Sequence, residues 1–595
     1  MPSAVRLTTG QISFSGGIDS GRTPTIASEA YPEGLGTNQL AWATNATMRG
    51  GGITSRYGWV KIVESAPWNG LFQGAIMYDT GFGYPYMMLS IGGQIWRVRT
   101  DLANQVELLS GGATDNPPLE PKAFMCQGEQ FVVIQAGDYV TLPLFWDGAT
   151  LRRSNGLGVV PRELPAAGPM DYYMGRLWYA AGRIYTAGDI VQGPSGTAPY
   201  GNRDSILKVT ENPLAVGGDG FLMPTSDGNI RALRHTANLD STLGQGPLYV
   251  FTRKSIYASA PPVTRALWTG ADADNPPIQT LAQSRYGTYS DRSVVSVNGD
   301  LFYQSPNGIS SLFLAVRYFQ QWGNTPISNN ENRVLNFNNR ALMEYCSGIE
   351  FDNRLLQTIL PIATPVGVAY QAVVPMDFDL ISSFGKKSPP AWEGAWEGID
   401  FLQLLEGDFG GLQRAFAVVH SRTTGKIEIW ELTLAERFDH NDTRITWIIE
   451  TPAYTWNKMF ELKRLQSLEL WIDRLFGTVE FKVYYRPDQN PCWYFWHAWK
   501  ECAARDACET IPTGDCTDYP MQDYCDQFRP SMVLPEPTPF CDSTINRPTN
   551  IAYQFQIKIV IHGFCRIRGL LIHAIEAGQP PFDGMVCDTA VYQGT

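Results

Sequence analysis

The chain has 595 residues, enough for three to five domains at roughly 100–200 residues per domain. Hydrophobic residues make up 44% of the sequence and aromatic residues 12%, so the chain can bury sizeable cores. The net charge of −12, from 46 basic and 58 acidic residues, argues against a protein that grips a nucleic-acid backbone by neutralising its phosphates.

Turn-forming residues are frequent, with 57 glycines and 40 prolines, which indicates many short elements joined by turns. The opening residues, Met1 to Thr8, lack the apolar run of a signal peptide, and no stretch approaches 18 consecutive apolar residues. The sequence therefore predicts a soluble chain made in the cytoplasm, without a membrane-spanning segment.

The first 60 residues contain a glycine-rich run. A strand around Trp42 is followed by a glycine turn at residues 50–52, which needs positive φ angles, and by a second strand. We interpret residues 1–60 as an N-terminal arm whose hairpin can pair with the sheet edge of a neighbouring subunit. The residues expected at that subunit interface are Trp42, Arg49, Arg56 and Trp59.

Residues 61–440 repeat one pattern: a short strand, a turn containing Gly, Asn or Asp, and a second strand with aromatic residues. Seven such hairpins begin near residues 86, 131, 176, 248, 300, 354 and 415. A step of roughly 45 to 70 residues accommodates one four-stranded blade with variable loops. The repetition predicts an irregular β-propeller of six to eight blades, with each hairpin facing the centre. A pair of packed β-sandwiches could produce the same hairpins.

Residues 441–595 show a different sequence pattern. The runs at 468–473, 479–485 and 553–559 alternate strictly between apolar and polar residues, as half-buried antiparallel strands do. They predict a C-terminal β-sandwich, interrupted by a cysteine-rich, acidic insertion at residues 488–549. The fold class predicted for the whole chain is therefore all-β.

Eight of the ten cysteines lie in the last part of the chain. Their spacing lacks the close C-x₂₋₄-C pairs of a zinc site, so it favours a disulfide framework. Reduced thiols in small clusters, and zinc, remain the alternatives. The disulfide candidates are Cys492, Cys502, Cys508, Cys516, Cys525, Cys541, Cys565 and Cys587.

An aromatic run, residues 492–500, adjoins the cysteine-rich insertion. Exposed aromatic rings stack on sugars or anchor protein interfaces. The interpretation we favour is that Trp493, Phe495 and Ala498 line the core of the sandwich, while only Trp496 or Trp499 emerges.

Catalytic motifs are absent from the sequence. The carboxylate pairs Asp377 with Asp379 and Glu393 with Glu397 have no spacing that singles them out as a glycosidase pair. No nucleophile elbow, zinc-protease motif or phosphate-binding loop occurs, and the six histidines lie in different segments. We expect a protein that is not an enzyme, with no catalytic residues, no cofactor and no metal.

One run carries a resemblance to a known family. Asn38-Gln39, Asn45, Arg49-Gly50-Gly51 and Ser55-Arg56-Tyr57-Gly58 form the pattern N-Q-x₅-N, R-G-G and S-R-x-G. This pattern, followed by irregular propeller hairpins and a final sandwich, resembles the tail proteins of bacteriophages, in particular the tubular or nozzle proteins of short-tailed phages. Related chains often read R-P-G where this one has Arg56-Tyr57-Gly58, so the proline-fixed turn is missing here. About 50 residues match at the level of this motif.

The resemblance implies a virion structural protein that assembles into a homo-oligomeric ring, with a hexamer favoured. The ring would lie below an adaptor and portal, pass DNA through its centre without binding it specifically, and carry other tail proteins such as fibres. The expected location is the virion tail, after assembly in the host cytoplasm. The alternative is a phage-associated propeller that binds glycans or degrades polysaccharides.

Overall fold

The computed structural model describes most of the chain. The described residues are 6–28, 31–63, 68, 70–81, 83–100, 105–192, 203–211, 220–236, 246–268, 279–284, 286–313, 326–380, 390–434, 437–441, 443–502, 531–533, 535–541, 545 and 547–577. Two compact units divide the chain, one of residues 1–56 with 444–595 and the other of residues 57–443. Within the described ranges, no helix has the length and apolar character needed to cross a membrane.

The chain begins with four short strands that belong to the first unit. They are β1 (Arg6–Gln11), β2 (Trp42–Thr44), β3 (Ala46–Thr47) and β4 (Thr54–Ser55). β3 and β4 form the predicted hairpin, with Ala46 opposite Ser55 and Thr47 opposite Thr54. Gly50 and Gly51 adopt φ values of 88° and 81° in the turn between them, the left-handed region that glycine enters without strain.

The second unit starts with β5 (Gly58–Val63) and continues with five small antiparallel sheets. Four of them have four strands and the last has three. Their strands are β6 (Phe72–Tyr78), β7 (Tyr86–Ile91), β8 (Gln94–Arg99) and β9 (Gln105–Leu108); β10 (Phe124–Gly128), β11 (Phe131–Gln135), β12 (Leu144–Trp146) and β13 (Leu151–Arg153); β14 (Met170–Tyr173), β15 (Arg176–Ala181), β16 (Ile184–Ala187) and β17 (Phe221–Leu222); β18 (Ile230–His235), β19 (Leu248–Thr252), β20 (Ser255–Ser259) and β21 (Gln279–Ser284); β22 (Val295–Val297), β23 (Asp300–Ser305) and β24 (Gly308–Ser311).

A larger sheet completes this unit. Its main path is β25 (Gly348–Phe351), β26 (Arg354–Thr364), β27 (Gly367–Asp377), β29 (Trp396–Asp408), β30 (Gln413–His420), β31 (Ile427–Thr433) and β5, and β28 (Ala391–Trp392) pairs with β27. β5 lies beside β31, with Trp59 opposite Leu432, so the start of the unit supplies an outer strand to its end. The short strands β32 (Phe438–Asp439) and β33 (Thr443–Arg444) follow.

The inner strands of these sheets contact one another around a ring. β6 lies beside β10, β10 beside β14 and β14 beside β18; β22 lies beside β25, β25 beside β29 and β29 beside β6. Between β18 and β22, the contact of β18 is with the segment Asp291–Ser293, which directly precedes β22. This ring of small sheets is a β-propeller, so the predicted all-β propeller fold is confirmed. The blade count differs from six to eight separate blades, because five small sheets are followed by one continuous sheet of eight strands.

All seven predicted hairpins are present as antiparallel pairs, but they do not face the centre. In the five small sheets the hairpin starts at the second strand, for example at β7 in the first sheet and β11 in the second. The strand nearest the ring axis is the preceding one, β6 or β10. The prediction was wrong on this point because every two successive strands of a small sheet form an antiparallel hairpin. The sequence therefore does not show which of these strands lies nearest the axis.

Apolar cores lie between neighbouring sheets. Met88 and Ile95 of the first small sheet pack with Val132 and Trp146 of the second, and all four are buried. Equivalent clusters lie between the other sheets, which is how a propeller buries both faces of each blade. Among the described residues, helical segments are short: one α-helix, Asn332–Leu335, and the 3₁₀ segments Gly112–Thr114, Arg203–Leu207, Thr225–Asp227, Arg265–Leu267, Asp291–Ser293, Asn329–Glu331 and Arg340–Tyr345.

The first unit is built on one hydrogen-bonded sheet of eight strands, where the sequence suggested a sandwich. Its later strands are β34 (Thr446–Glu450), β35 (Lys463–Pro487), β36 (Tyr494–Cys502), β37 (Ser531–Met532), β38 (Ile551–Ala552) and β39 (Phe555–Glu576). The long strands β35 and β39 pair along their length, with register shifts around Asp473 and Phe476.

The N-terminal segment is part of this same unit. β1 pairs with the C-terminal half of β39, from Arg6 opposite Ile575 to Gln11 opposite Leu570, and β2 pairs with β34. Residues 1–60 are therefore not a separate arm, which corrects the predicted domain division. The propeller boundary, predicted at residues 61–440, lies at 57–443.

Candidate functional site

A cavity of about 490 Å³ lies on the axis of the propeller. Because the first strand of each small sheet is the innermost, side chains from β6, β10, β14 and β18 line it, together with β25, β29 and the segment Asp291–Ser293. Its polar lining side chains are Gln127, Asp171, Tyr172, Arg234, His235, Asp291, Arg292, Gln403 and Glu406. This volume is within the range of small-ligand pockets.

Asp171 is the centre of one polar group in this cavity. Its carboxylate is buried and lies 2.8 Å from Nδ1 of His235 and 3.9 Å from Nη1 of Arg234. The side chains of His235 and Arg234 keep about two fifths of their surface exposed, 39% and 41%. The hydrogen bond to Asp171 raises the pKa of His235, so this imidazole carries a proton at a higher pH than an ordinary histidine.

Glu406 is a second titrating group in the cavity. Its Oε2 accepts a hydrogen bond from the backbone N–H of Glu350 at 2.7 Å. Burial raises its pKa to about 7, and the nearby carboxylate of Glu350 acts in the same direction. By surface area, however, Glu406 is an exposed residue. Glu406 therefore changes charge near neutral pH.

Arg292 has a structural role in the ring. Its Nη2 donates to the carbonyl oxygens of Gln73 and Ala123, the latter at 3.0 Å. Gln73 lies in β6 and Ala123 precedes β10, so one guanidinium joins two neighbouring blades. Gly74 makes room for it, since a Cβ at this position would be 2.7 Å from Nη2 of Arg292.

Lys122 and Asp291 form an ion pair next to Arg292. Their Nζ and Oδ1 atoms are 2.5 Å apart. Burial lowers the pKa of Lys122. For Asp291, burial acts to raise the pKa, but the charges of Lys122 and Arg292 outweigh it and the pKa is lowered. Both charges are therefore engaged inside the protein.

Cys126 lines the same cavity but is not arranged as a nucleophile. Burial raises its pKa to about 12, with the Asp171 carboxylate acting in the same direction. The thiolate is the reactive form of cysteine, so this thiol is unreactive at neutral pH.

One member of each carboxylate pair considered from the sequence, Asp377 and Glu393, is bound to an arginine. Arg354 contacts Glu393 at 3.1 Å, Asp377 at 3.2 Å and Asp352 at 2.6 Å. Arg354, Asp377 and Glu393 are all buried. Burial alone would lower the pKa of Arg354, but Glu393 and Asp377 outweigh it and raise it. This arrangement is a buried ion network.

Three of the four expected interface residues are buried in their own chain. Trp42 donates from Nε1 to Oγ1 of Thr44 at 2.9 Å, and Trp59 packs against Phe401 with ring centroids 5.4 Å apart. Their exposed fractions are 4% and 1%. As placed here, neither tryptophan can contact a second subunit.

Arg56 is likewise buried, with 2% of its surface exposed. Its Nε donates to Oδ1 of Asn45 at 3.1 Å, so its charge orders the hairpin from inside. The interface prediction was therefore wrong for Trp42, Arg56 and Trp59, because a motif does not reveal on which face its large side chains lie. Arg49 is half-buried beside the exposed Gly50 and Gly51, and its interface role stays a prediction.

The eight disulfide candidates divide into three groups. Cys492 and Cys541 form a disulfide. Cys565 is a buried free thiol in the middle of β39, and burial raises its pKa well above the usual value, so including it in the disulfide framework was wrong. The side chain of Cys502 and the whole of Cys508, Cys516, Cys525 and Cys587 lie outside the described residues.

In the aromatic run, residues 492–500, the side chains expected in the core and those expected at the surface are largely exchanged. Trp496 is 8% exposed, whereas Phe495 is 59% exposed and Trp493 is half-buried. A register shift opposite Val483 and Tyr484 places the extra residue, Trp496, against Tyr485. Local alternation could not reveal this bulge.

Trp499 lies flat against a neighbouring ring of the same sheet. Its ring stacks on Phe481 with centroids 4.6 Å apart and planes 8° from parallel, and His497 stacks on its other side at 5.9 Å. His497 and Trp499 lie on β36, and Phe481 lies on its partner strand β35.

The described part of the chain contains no group of three or more His, Cys, Asp or Glu side chains arranged to hold a metal ion. The sequence did not single out Asp171, Arg234, His235 or Glu406. The place of these residues in the chain could have revealed three of them. Asp171, Arg234 and His235 lie in the strand that directly precedes a predicted hairpin, and this strand is the inner one of its sheet.

No protein-family model matches the chain, and no curated protein is significantly similar to it. Solved propeller structures are similar in part. The BBS1N structure, crystallised in complex with ARL6DN, is 10% identical, with a TM-score of 0.32 over 64% of this chain and 98% of that one. The Cps50 (Swd1) propeller domain of Myceliophteria thermophila is 9% identical, with a TM-score of 0.32 over 63% of this chain and 100% of that one.

The WD40 propeller domain of Doa1 is 7% identical, with a TM-score of 0.30 over 64% of this chain and 98% of that one. TM-scores this low assign neither a family nor a function to the chain.

Proposed function

We propose that this chain is a structural protein of a bacteriophage tail, a tubular or nozzle component that assembles into a homo-oligomeric ring. In this role a hexamer is the favoured assembly, and DNA passes through the centre of the ring during ejection. Adaptor or portal-proximal tail proteins and tail fibres attach to it. The observation that carries the proposal is the N-Q-x₅-N, R-G-G, S-R-x-G run at residues 38–58.

The placement of this run supports an assembly role. The run pairs with the C-terminal part of the chain at two points, with Trp42 opposite Glu450 and Ile53 bridged to Ile567. The turn between the strands stays at the surface, since Gly50 and Gly51 are exposed and a Cβ on either would meet nothing within 4 Å. A surface turn on a firmly held hairpin suits a contact between subunits, and Arg49 is the charged residue beside it.

The charges of the propeller support a scaffold that is not an enzyme. Asp291 is paired with Lys122, and Asp377 and Glu393 are both paired with Arg354. Carboxylates that are held by cations in this way are engaged within the fold, so they are not free to reach a substrate. Buried networks of this kind stiffen the blades instead.

The overall charge suits a conduit for DNA. With 58 acidic and 46 basic residues, the chain repels a polyanion more than it binds it. A wall that holds DNA tightly would slow ejection, whereas a net-acidic wall allows passage without specific contacts.

Mass photometry of the purified chain mixed with its partner tail proteins tests the proposal. We expect a ring-sized assembly, and we expect Arg49→Glu to shift the population towards the monomer. Arg22→Glu is the matched control, because Arg22 is an exposed arginine of the same unit that pairs with the nearby Asp19. A monomer alone in the wild-type mixture would contradict ring formation.

One observation favours the glycan-binding alternative. The strand β36 presents Phe495, which is 59% exposed. Aromatic faces of this kind bind sugar rings. Incubation of the chain with host polysaccharide separates the two functions, since a conduit leaves the polymer at its original length and a depolymerase shortens it.

A further inference from the structure

The axial cavity contains two cationic side chains on adjacent residues whose donors are not fully used. Among the described residues, the carboxylate oxygen nearest to the guanidinium of Arg234 belongs to Asp171. It lies 3.9 Å from Nη1, which is beyond hydrogen-bond distance. His235 uses Nδ1 to bond Asp171 at 2.8 Å, and its Nε2 has no hydrogen-bond partner among the described residues. Both side chains line the cavity.

The other cations near the cavity are engaged. Lys122 is paired with Asp291 at 2.5 Å, and Arg292 donates to the carbonyl oxygens of Gln73 and Ala123. Arg234 and His235 are therefore the groups with donors left for a bound molecule. A guanidinium beside an imidazolium matches the lone pairs of a carboxylate or phosphate oxygen.

We propose that this cavity binds a small oxyanion, a carboxylate or a phosphate, through Arg234 and His235, and that ionised Glu406 opposes the binding. The site is independent of the tail function proposed above. Asp171 is a positioning residue in it, because its carboxylate holds the His235 ring and shares its charge with Arg234.

The groups that face these side chains determine how binding depends on pH. His235 faces Asp171 of β14, the ring of Tyr173 at 5.7 Å between centroids, and Arg234 of its own strand. Glu406 faces Glu350 of β25 and senses the charge of Arg234.

Raising the pH from 6 to 8 makes the site more negative, because Glu406, whose pKa is about 7, becomes ionised. The bond to Asp171 raises the pKa of His235, so this imidazole keeps its proton to a higher pH than an ordinary histidine. Ionisation of Glu406 weakens the attraction for an anion. Binding is therefore expected to be tighter at pH 6 than at pH 8.

Isothermal titration calorimetry of the full chain tests the proposal, with inorganic phosphate and acetate as separate probes. We expect at least one probe to bind at pH 6 with a Kd of about 1 mM or tighter. Binding of phosphate alone assigns the phosphate class, and binding of acetate alone assigns the carboxylate class. No binding of either probe at about ten times that concentration overturns the proposal.

Arg234→Gln is expected to weaken binding at least about tenfold, because it removes a charged hydrogen-bond donor. Arg183→Gln is the matched control, since Arg183 is another arginine of the propeller and bonds Met223 and Thr225 outside the cavity. Equal affinity in the wild type and Arg234→Gln overturns the proposal.

Glu406→Gln gives a second readout that does not depend on the arginine variant folding. This change removes the negative charge and keeps the size of the side chain. We expect it to bind the probe more tightly than the wild type at pH 8 and to show a smaller loss of affinity between pH 6 and 8. The same pH profile in both proteins contradicts the role of Glu406.

Discussion

The guanidinium of Arg354 lies 3.1 Å from the carboxylate of Glu393, and both residues are buried, with 1% and 0% of their side chains exposed. Arg354 also contacts Asp377 at 3.2 Å, and its guanidinium carbon lies 5.4 Å from the ring centroid of Tyr57. Tyr57 is the first residue of the propeller unit, so this one arginine joins β26 to the beginning of the unit.

Replacing this arginine is expected to destabilise the propeller strongly. Arg354→Met leaves Asp377 and Glu393 as buried carboxylates without their cation. Removing one partner of a buried ion pair typically costs about 3–5 kcal/mol, because the other charge stays desolvated. Urea denaturation followed by tryptophan fluorescence measures the loss.

Lys208→Met is the comparison for Arg354→Met. Lys208 pairs with Asp204 at 2.8 Å in an exposed position, with 30% and 38% of the two side chains exposed. Pairs of this kind contribute at most about 1 kcal/mol. If the two variants unfold at the same urea concentration, the Arg354 network does not stabilise the propeller.

Gly74 has a specific steric reason to be glycine. A Cβ at this position would lie 2.7 Å from Nη2 of Arg292 and 2.9 Å from the carbonyl oxygen of Ala123. Gly74→Ala is expected to lower the free energy of unfolding by about 1–3 kcal/mol, because the guanidinium must move from its blade-joining position.

Gly158→Ala is the matched control for this substitution. A Cβ at Gly158 meets nothing within 4 Å, so we expect a change within about 0.5 kcal/mol. Thermal melts of both variants measure the difference. An unchanged melting temperature in Gly74→Ala would show that Arg292 is not held against this strand.

Glu406 is expected to make stability depend on pH. Its ordinary pKa is 4.5, and burial raises it to about 7 in the folded chain. Between these two values the folded state holds a proton that the unfolded state has lost, so stability falls as the pH rises through this window. Because water reaches the side chain in the cavity, the total effect is expected to stay below about 1 kcal/mol.

Glu406→Gln removes this dependence. The variant should match the wild type near pH 4 and be more stable than it at pH 8. Melting temperatures across that range measure the effect. A wild type that is more stable than the variant at pH 8 would contradict a raised pKa for Glu406.

The disulfide between Cys492 and Cys541 closes a loop with a sequence separation of 49. Replacing both cysteines by serine is expected to lower stability by about 2–4 kcal/mol, mainly by freeing the unfolded chain. Peptide mapping without reductant should find these two cysteines linked and Cys565 as a free thiol that alkylates only after denaturation. Separate peptides for Cys492 and Cys541 would refute the pairing.

Local patterns were enough to predict the propeller hairpins. Strand pairs such as β7 with β8 are joined by two residues, Gly92 and Gly93, both with positive φ, so sequence neighbours contain the whole signal. Which strand lies nearest the axis was not predictable in this way, because it depends on contacts between different sheets.

Long-range pairing and side-chain direction account for the remaining errors. β1 pairs with β39, from Arg6 opposite Ile575, over almost the whole length of the chain. No local pattern reports such a contact, and so residues 1–60 were interpreted as a free arm. The cavity residues Asp171 and His235 were missed for the same reason, since they lie 64 positions apart and meet only when the ring closes.

Electron microscopy of the phage particle, with an antibody against this chain, tests the central proposal most directly. We expect the antibody to label a ring in the tail, on the path of the DNA, with several copies of the chain around it. Label on no part of the particle, or only on projecting fibres together with cleavage of host polysaccharide, would contradict it.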